Sequence, residues 1–412
     1  MSESTLPPSL NQHVKILSGF AFSSVGFNQL EGMPLIRIRD LANANTEVRF
    51  RGQYDAAYLI KNGDVLIGMD GDFEVHRWNG GDALLNQRVC KVEAATHQID
   101  QDFLYWYLKP KVAEIHRRTP QTTVRHLSTK DLFAIPMPPM GAEEQAVIGR
   151  VLDTLETAVR ETEAVVAKLK LIKQGLLHDL LTRGIDENGE LRSHQSETPH
   201  LYKGSPLGWI PQEWNCVALK ERLKRTTYGF TNPMPTVDDG PWMLTAADIS
   251  AGQIRYEQAR RTTWKAFRQL SEKSRPQIGD VLVTKDGTLG RVAIVDRNDI
   301  CVNQSVAVLS PRETHDANYL SIFLQSPVGQ QIMLADSGGS TIKHLYITKL
   351  AEMVVPWPST TEGEAIALRV SEMNGRLATE KDYLAKLTEL KNGIVNELLT
   401  GSVRVTPLLT QK

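Results

Sequence analysis

The sequence of 412 residues has few cysteines and lacks the signals of secreted and membrane proteins. Its three cysteines, Cys90, Cys216 and Cys301, are an odd number without a CxxC spacing. This excludes a complete disulfide framework and a cysteine zinc site, and it favours a reducing, cytoplasmic compartment. The opening MSESTLPPSL has no signal-peptide pattern. No apolar run is long enough to span a membrane, so no membrane partner is expected.

Motifs that carry chemistry are also missing. There is no GxxxxGK[ST] phosphate loop, and the ten histidines show no HExxH or similar metal spacing. Neither Pro-Pro pair, Pro7-Pro8 or Pro138-Pro139, has the neighbours of the Asn/Asp-Pro-Pro-aromatic tetrapeptide of amino-methyltransferases. The sequence therefore predicts a chain without a catalytic site, a metal or a cofactor of its own, with an enzyme of unrecognised type as the alternative.

A large internal repeat is the strongest signal that is present. Gly63-Asp64-Val65-Leu66 returns as Gly279-Asp280-Val281-Leu282, 216 residues later, and Asp70-Gly71 returns as Asp286-Gly287. Four further matches follow in order, at offsets of 216 to 218: Asn86-Gln87 with Asn303-Gln304, FLYWYLKPKV (103–112) with YLSIFLQSPV (319–328), TVRHL (123–127) with TIKHL (341–345), and GLLHDLLT (175–182) with GIVNELLT (393–400). The order indicates two copies of one module, since a solenoid needs shorter and more numerous repeats.

Each module divides into a β-rich part and a long helical part. In the first part, short β-rich runs alternate with Asp-Gly turns. In the second, apolar residues recur every three or four positions, which is typical of a coiled-coil seam. The predicted seam residues are Leu155, Val159, Val166, Leu169, Ile172, Leu176 and Leu180 in the first module, and Met373, Leu377, Leu384, Leu387, Ile394 and Leu398 in the second. A helix of about 40 residues would be about 60 Å long, so pairing of the two helices is favoured over two long core helices.

These patterns predict an α+β protein with two mixed α/β globular domains separated by two long antiparallel helices that form a coiled coil. Proline-rich IPMPP and VPWPS mark the change from globular part to helix. The predicted segments are a first globular domain (1–139), a first long helix (140–184), a polar linker (185–205), a second globular domain (206–358), a second long helix (359–402) and a tail (403–412).

The sequence resembles the specificity subunit of type I restriction-modification systems over about residues 12–405. GFAFSSVGF with PLIRIRDL resembles the start of a first target recognition domain, and GWIPQEW resembles the entry to a second. The loops TTVRHL and STIKHL and the helix ends GLLHDLLTRG and GIVNELLTGSVRV add to the resemblance. One difference between the modules, Glu143-Glu144-Gln145 at the first helix start against Gly363-Glu364-Ala365 at the second, predicts that the two ends contact their partner subunits differently.

The resemblance implies a function. In this family each recognition domain reads one half of a split target in double-stranded DNA, and the helices hold the halves apart while docking two methyltransferase subunits. Those partners bind S-adenosylmethionine and methylate adenine, and restriction subunits can join them. The net charge of −1 gives no support for DNA binding. The alternative is therefore a coiled-coil protein-binding scaffold without sequence-specific DNA reading.

Candidate DNA contacts come from two kinds of segment, because phosphates need cations or hydroxyls and base edges need side chains that reach a groove. The two matching loops supply Arg117, Arg118, Thr122, Thr123, Arg125, His126, Ser340, Thr341, Lys343 and His344. The hairpins at the Asp-Gly turns supply Arg77, Trp78, Lys285, Thr288 and Arg291. Solvated loops with packed histidines and ordinary turns are the alternatives. Base reading is expected where the modules differ, as in 19–32 against 228–240 and 72–82 against 288–299, so a structural role is favoured for the shared Asn-Gln pairs.

Overall fold

A computed structural model of the chain describes residues 8–120, 125–250, 252–335 and 344–405. The chain forms two compact units. The first unit joins Met1–Ala164 to Asp382–Lys412, and the second is Val165–Lys381. Each unit thus holds one globular part together with portions of both long helices. Among the described helices, none has the length and apolar character needed to cross a lipid bilayer.

The globular part of the first unit is built from short strands, two short helices and the start of a long one. The strands are β1 (Val14–Ser18), β2 (Phe27–Asn28), β3 (Met33–Ile36), β4 (Arg49–Phe50), β5 (Leu59–Ile60), β6 (Val65–Gly68), β7 (Val75–Arg77), β8 (Ala83–Leu85) and β9 (Val89–Ala94). The helices are α1 (Gln101–Arg118), α2 (Thr129–Phe133) and α3 (Ala142–Thr182). An antiparallel sheet has the order β1-β9-β6-β7, and a second sheet has the order β2-β4-β3-β8-β5.

The globular part of the second unit repeats this plan with additions. Its strands are β10 (Tyr202–Ser205), β11 (Gly208–Pro211), β12 (Asn215–Ala218), β13 (Leu223–Tyr228), β14 (Val237–Leu244), β15 (Ile249–Ser250), β16 (Gln253–Ile254), β17 (Arg260–Arg261), β18 (Val281–Thr284), β19 (Val292–Ile294), β20 (Ile300–Val302), β21 (Val306–Pro311) and β22 (Val354–Trp357). Its helices are α4 (Leu219–Arg222), α5 (Trp264–Gln269), α6 (Asp316–Gln325), α7 (Pro327–Leu334), α8 (Ile347–Glu352) and α9 (Thr360–Thr400). The four-stranded order β13-β21-β18-β19 matches β1-β9-β6-β7.

One inner strand of each four-stranded sheet, β6 in the first unit and β18 in the second, is buried on both faces. In β6, Val65 and Ile67 pack into one apolar core and Leu66 packs into another. In β18, Val281 and Val283 face one core while Leu282 faces another. Alternate side chains of a strand point to opposite faces, so one strand serves two cores. A parallel strand pair outside the four-stranded sheets also repeats. It is β3 with β8 in the first unit and β14 with β20 in the second.

The long helices α3 and α9 each contain 41 residues, and the end of each lies beside the start of the other. In the first unit, Leu398 of α9 shares a core with Leu152 of α3. In the second unit, Leu180 of α3 shares a core with Ile366 of α9. The predicted two-module α+β fold with paired antiparallel helices is confirmed.

Burial along the helices follows a three-four pattern with polar positions in it. Five predicted seam residues are buried: Val159, Val166, Leu180, Leu377 and Leu398. Seven are partly buried: Leu155, Leu169, Leu176, Met373, Leu384, Leu387 and Ile394. Ile172 is 44% exposed, and its assignment to the seam is wrong because the step of four from Leu169 leads to the partly buried Lys173. Burial, followed by repulsion from Lys381, lowers the pKa of Lys173.

A buried glutamate at the start of each long helix binds the segment that follows the other helix. Glu144 accepts bonds from the Arg404 guanidinium at 2.9 and 2.7 Å and from the Val405 amide at 3.1 Å. Glu362 accepts from the Ile185 amide at 2.8 Å and from the Arg192 guanidinium at 2.5 and 3.2 Å. The helix starts therefore correspond as Glu144 with Glu362 in their intrachain bonds. The predicted difference between their contacts with partner subunits stays a prediction.

Candidate DNA interface

The matching Asp-Gly turns and histidine loops lie together in both units. In the first unit, Asp70 Oδ1 is 2.6 Å from His126 Nδ1, and the Leu127 amide donates to the Met69 carbonyl at 2.7 Å. Leu127 is buried in the core and fixes the end of the loop. His126 itself is exposed. The carboxylate thus holds the imidazole by one nitrogen and leaves Nε2 facing away from it.

The second unit has the same arrangement. Asp286 Oδ1 is 2.5 Å from His344 Nδ1, and the Leu345 amide donates to the Lys285 carbonyl at 2.9 Å. Lys285 Nζ lies 2.8 Å from the other oxygen of Asp286. Burial alone would raise the pKa of Asp286, but the hydrogen bonds from Lys285 and His344 outweigh it and hold that pKa below its usual value. The carboxylate therefore stays charged and keeps the histidine oriented.

Arg88 is a surface cation that sequence reasoning missed. Its guanidinium lies 3.0 Å from Asp70 Oδ2, and its side chain is 65% exposed. We call Asp70, Arg88 and His126 the first turn surface, and Asp286, Lys285 and His344 the second. The recurrence of Asp-Gly and histidine at nearly one offset could have indicated the carboxylate–histidine pair. Nothing in the sequence pattern indicated Arg88.

The basic residues around the first loop have different surroundings. Arg117 and Arg118 are exposed at the end of α1, where Arg118 forms an ion pair with Glu114 one turn earlier. Arg125 is partly buried, and its guanidinium lies 2.8 Å from His116 Nε2. The arginines at the helix end are therefore available to a ligand, whereas Arg125 is less exposed and contacts His116.

Two predicted contacts of the first hairpin are wrong. Trp78 is 2% exposed, belongs to an apolar core and donates its indole N–H to the Gly81 carbonyl at 2.5 Å. Arg77 donates to Asp153 Oδ2 of α3 at 2.8 Å and lies 4.6 Å from the centre of the Tyr105 ring. Both side chains connect parts of the first unit, so neither is free to contact DNA.

The predicted DNA contacts in the hairpin of the second unit differ in their exposure. Thr288 is exposed at the turn. Arg291 is partly buried and donates to the Ile249 carbonyl at 3.1 Å, and its role as a DNA contact stays a prediction. Lys285 is only 18% exposed and is held by Asp286. Thr122, Thr123, Ser340, Thr341 and Lys343 lie outside the described residues and remain predictions.

The shared Asn-Gln pairs form turns beside these surfaces. Asn86 is buried, and its side-chain oxygen accepts the Gln87 amide at 2.9 Å. The side-chain oxygen of Asn303 accepts from the amide and hydroxyl of Ser305 at 3.1 and 2.6 Å. Both asparagines therefore stabilise the local backbone, as their recurrence in the two modules suggested.

Comparison with known proteins identifies the family. The model of the type I restriction modification DNA specificity domain matches residues 9–171 and 235–389, one range in each module. The chain belongs to the type I restriction-modification DNA specificity family. This confirms the resemblance inferred from the duplicated motifs.

Relatives of this specificity-family chain extend along most of its length. It is 33% identical to the specificity subunit of the type I restriction enzyme EcoBI from Escherichia coli, over 97% of this chain and 86% of that one. It is 23% identical to the MjaVIII specificity subunit of Methanocaldococcus jannaschii, over 85% and 81% of the two chains. The crystal structure of an S subunit from M. genitalium superposes with a TM-score of 0.60 at 14% identity, over 95% and 94% of the chains, which shows a shared fold.

Proposed function

We propose that this chain is the non-catalytic DNA-recognition subunit of a type I restriction-modification complex. Each module would read one half of a bipartite, asymmetric target in double-stranded DNA. The observation that carries the proposal is that the family model matches both modules, while the modules differ in the segments around their common turns. Two related but different readers on one chain suit a target with two unlike halves.

The turn surfaces support the proposal physically. Each presents a histidine held by a carboxylate, with a cation on the same carboxylate. Features kept in both modules suit phosphate contacts, which position a protein on DNA without sequence information. The partners would be two methyltransferase subunits that bind S-adenosylmethionine and methylate adenine, and restriction subunits can join them. We expect no cofactor in this chain.

Methylation mapping tests the proposal. Cells that carry this chain with its methyltransferase partner should contain modified adenines within one bipartite, asymmetric sequence. The purified chain alone should transfer no methyl group, and the reconstituted complex should. Methyl transfer by the rigorously purified chain would show that it is an enzyme. A complex that binds DNA without sequence preference would favour the scaffold alternative.

A further inference from the structure

Arg88 has an unusual backbone conformation. Its φ is +71°, and among the described non-glycine residues only Ala44 also has a positive φ. A side chain is disfavoured in this left-handed region, where glycine is tolerated. The neighbouring bonds nevertheless fix the position, because the Met69 amide donates to the Arg88 carbonyl at 2.8 Å and the buried Asn86 closes the turn. A non-glycine residue held in this way is a candidate for a function of its side chain.

The guanidinium of Arg88 is oriented by one ion pair and keeps donors that are not occupied. Asp70 Oδ2 forms an ion pair with Nη1 at 3.0 Å, and the Arg88 side chain has no other ion-pair partner within the described ranges. An arginine has five N–H donors, so an edge with two parallel donors remains open to a ligand. Asp70 is 15% exposed and also holds His126, so Arg88 extends outward from a carboxylate fixed by a second bond.

The second module lacks this feature. Ser305 follows Asn303-Gln304 as Arg88 follows Asn86-Gln87, and its φ is not positive. The Ser305 hydroxyl is used inside the domain, where it accepts the Ala246 amide at 2.9 Å and donates to Asn303 at 2.6 Å. The cation on Asp286 comes instead from Lys285, which is mostly buried. The two turn surfaces therefore share the carboxylate–histidine pair and differ in the exposed arginine.

We infer that Arg88 is a specificity-determining residue that reads a guanine in the half-target of the first recognition domain. The inference rests on the proposed function. Both modules need phosphate contacts, so an exposed arginine that is present in only one of them suits base reading better. A guanidinium edge matches the O6 and N7 acceptors of guanine in the major groove, and this pairing discriminates among bases. Asp70 preorients the fork and leaves the second edge for the base.

The test uses the complete chain assembled with its methyltransferase partner. Duplexes carrying every single base-pair change in the mapped target are compared for methylation rate and binding. The variants are Arg88→Ala, Arg88→Lys and Arg88→Gly. Arg88→Gly is the matched control for folding, because glycine accepts the positive φ and should leave the thermal stability equal to or above that of the wild type.

The wild-type complex should prefer guanine at one position of the first half by about 10- to 100-fold. Arg88→Ala and Arg88→Gly should lose that preference, and Arg88→Lys should lose most of it because an ammonium cannot form the fork. Preferences in the second half should not change. Unchanged preferences at every position, or an equal loss on all sequences as for a phosphate contact, would overturn the inference alone. A wild-type complex without a bipartite preference would overturn the proposed function, and this inference with it.

Discussion

The carboxylate of Glu362 should stabilise the second unit strongly. Its side chain is 9% exposed and that of Arg192 is 11% exposed, so the pair lies almost out of water. The same carboxylate also accepts the Ile185 amide and the indole N–H of the buried Trp214 at 2.9 Å. Burial opposes the charge of Arg192, yet the bonds with Glu362 raise the pKa of the guanidinium above its usual value. Four donors of three residues thus converge on one anion.

Glu362→Gln keeps the shape but removes the charge, and it turns an N–H₂ group toward groups that are themselves donors. Breaking a buried ion pair by removing one partner costs about 3–5 kcal/mol. Glu213, 3.6 Å from Arg192, remains as a partial counter-charge. We therefore expect the lower end, about 3 kcal/mol. At about 2–4 °C per kcal/mol for a unit of this size, the transition of the second unit should fall by about 6–12 °C.

Scanning calorimetry of the full chain measures this effect, with Glu364→Gln as the matched control. Glu364 lies on the same helix two residues later and is exposed, so its change should be within about 0.5 kcal/mol of neutral. Combining Glu362→Gln with Arg192→Met should recover part of the loss, since the uncompensated cation is then gone. An equal, small shift for Glu362→Gln and Glu364→Gln would refute the reasoning.

Three further outcomes are expected. Arg125→Ala should weaken DNA binding by the assembled complex at all sequences alike and reduce the salt slope by about one; an unchanged affinity and slope would remove this residue from the interface. The pKa of Asp286 is lower in the folded chain than in the unfolded chain. The ionised carboxylate therefore adds to the free energy of unfolding above the unfolded pKa of about 3.9, and this contribution is lost as the pH falls through the folded pKa. Asp286→Asn should therefore reduce stability at neutral pH and flatten its acid dependence in urea titrations, and a parallel pH profile would contradict this. Cys90 and Cys301 are fully buried, and burial raises the pKa of each thiol to about 12; maleimide should label the partly exposed Cys216 alone until denaturant exposes the other two, and early labelling of all three would show otherwise.

The repeat made the architecture predictable, because homologous segments at one offset fold alike. The helix seam was predictable wherever an apolar residue occupied it. The prediction was wrong at Ile172, because the partly buried position is the next residue, Lys173. A lysine can bury its methylene stem while its ammonium reaches water, and a pattern of apolar residues does not include it. In the sequence Glu144 also matches Glu364, two positions beyond Glu362, so the pattern alone does not show that Glu144 corresponds to Glu362.

The candidate interface was predictable only in its shared part. The histidine loops and the Asp-Gly turns recur in sequence and meet in the structure. The burial of Trp78 in an apolar core and the ion pair of Arg77 with Asp153 depend on distant parts of the chain, which local composition does not reveal. Arg88 combines an exposed side chain with a positive φ, and no spacing of residues encodes either property.

The end of α9 belongs to the first unit, and this has a consequence for biosynthesis. The second unit is continuous in sequence, whereas the core of the first needs Leu398, Leu399 and Val405. Ribosomes add about 5–20 residues per second, so about 15–60 s pass between the synthesis of β9, the last strand of the first recognition domain, and the synthesis of Leu398. During that interval the apolar surface around Ile148 and Leu152 on the growing chain is uncovered. The domain that is translated first is thus the one completed last, and a chain truncated after residue 393 and released from the ribosome should carry a finished second unit and an unfinished first one.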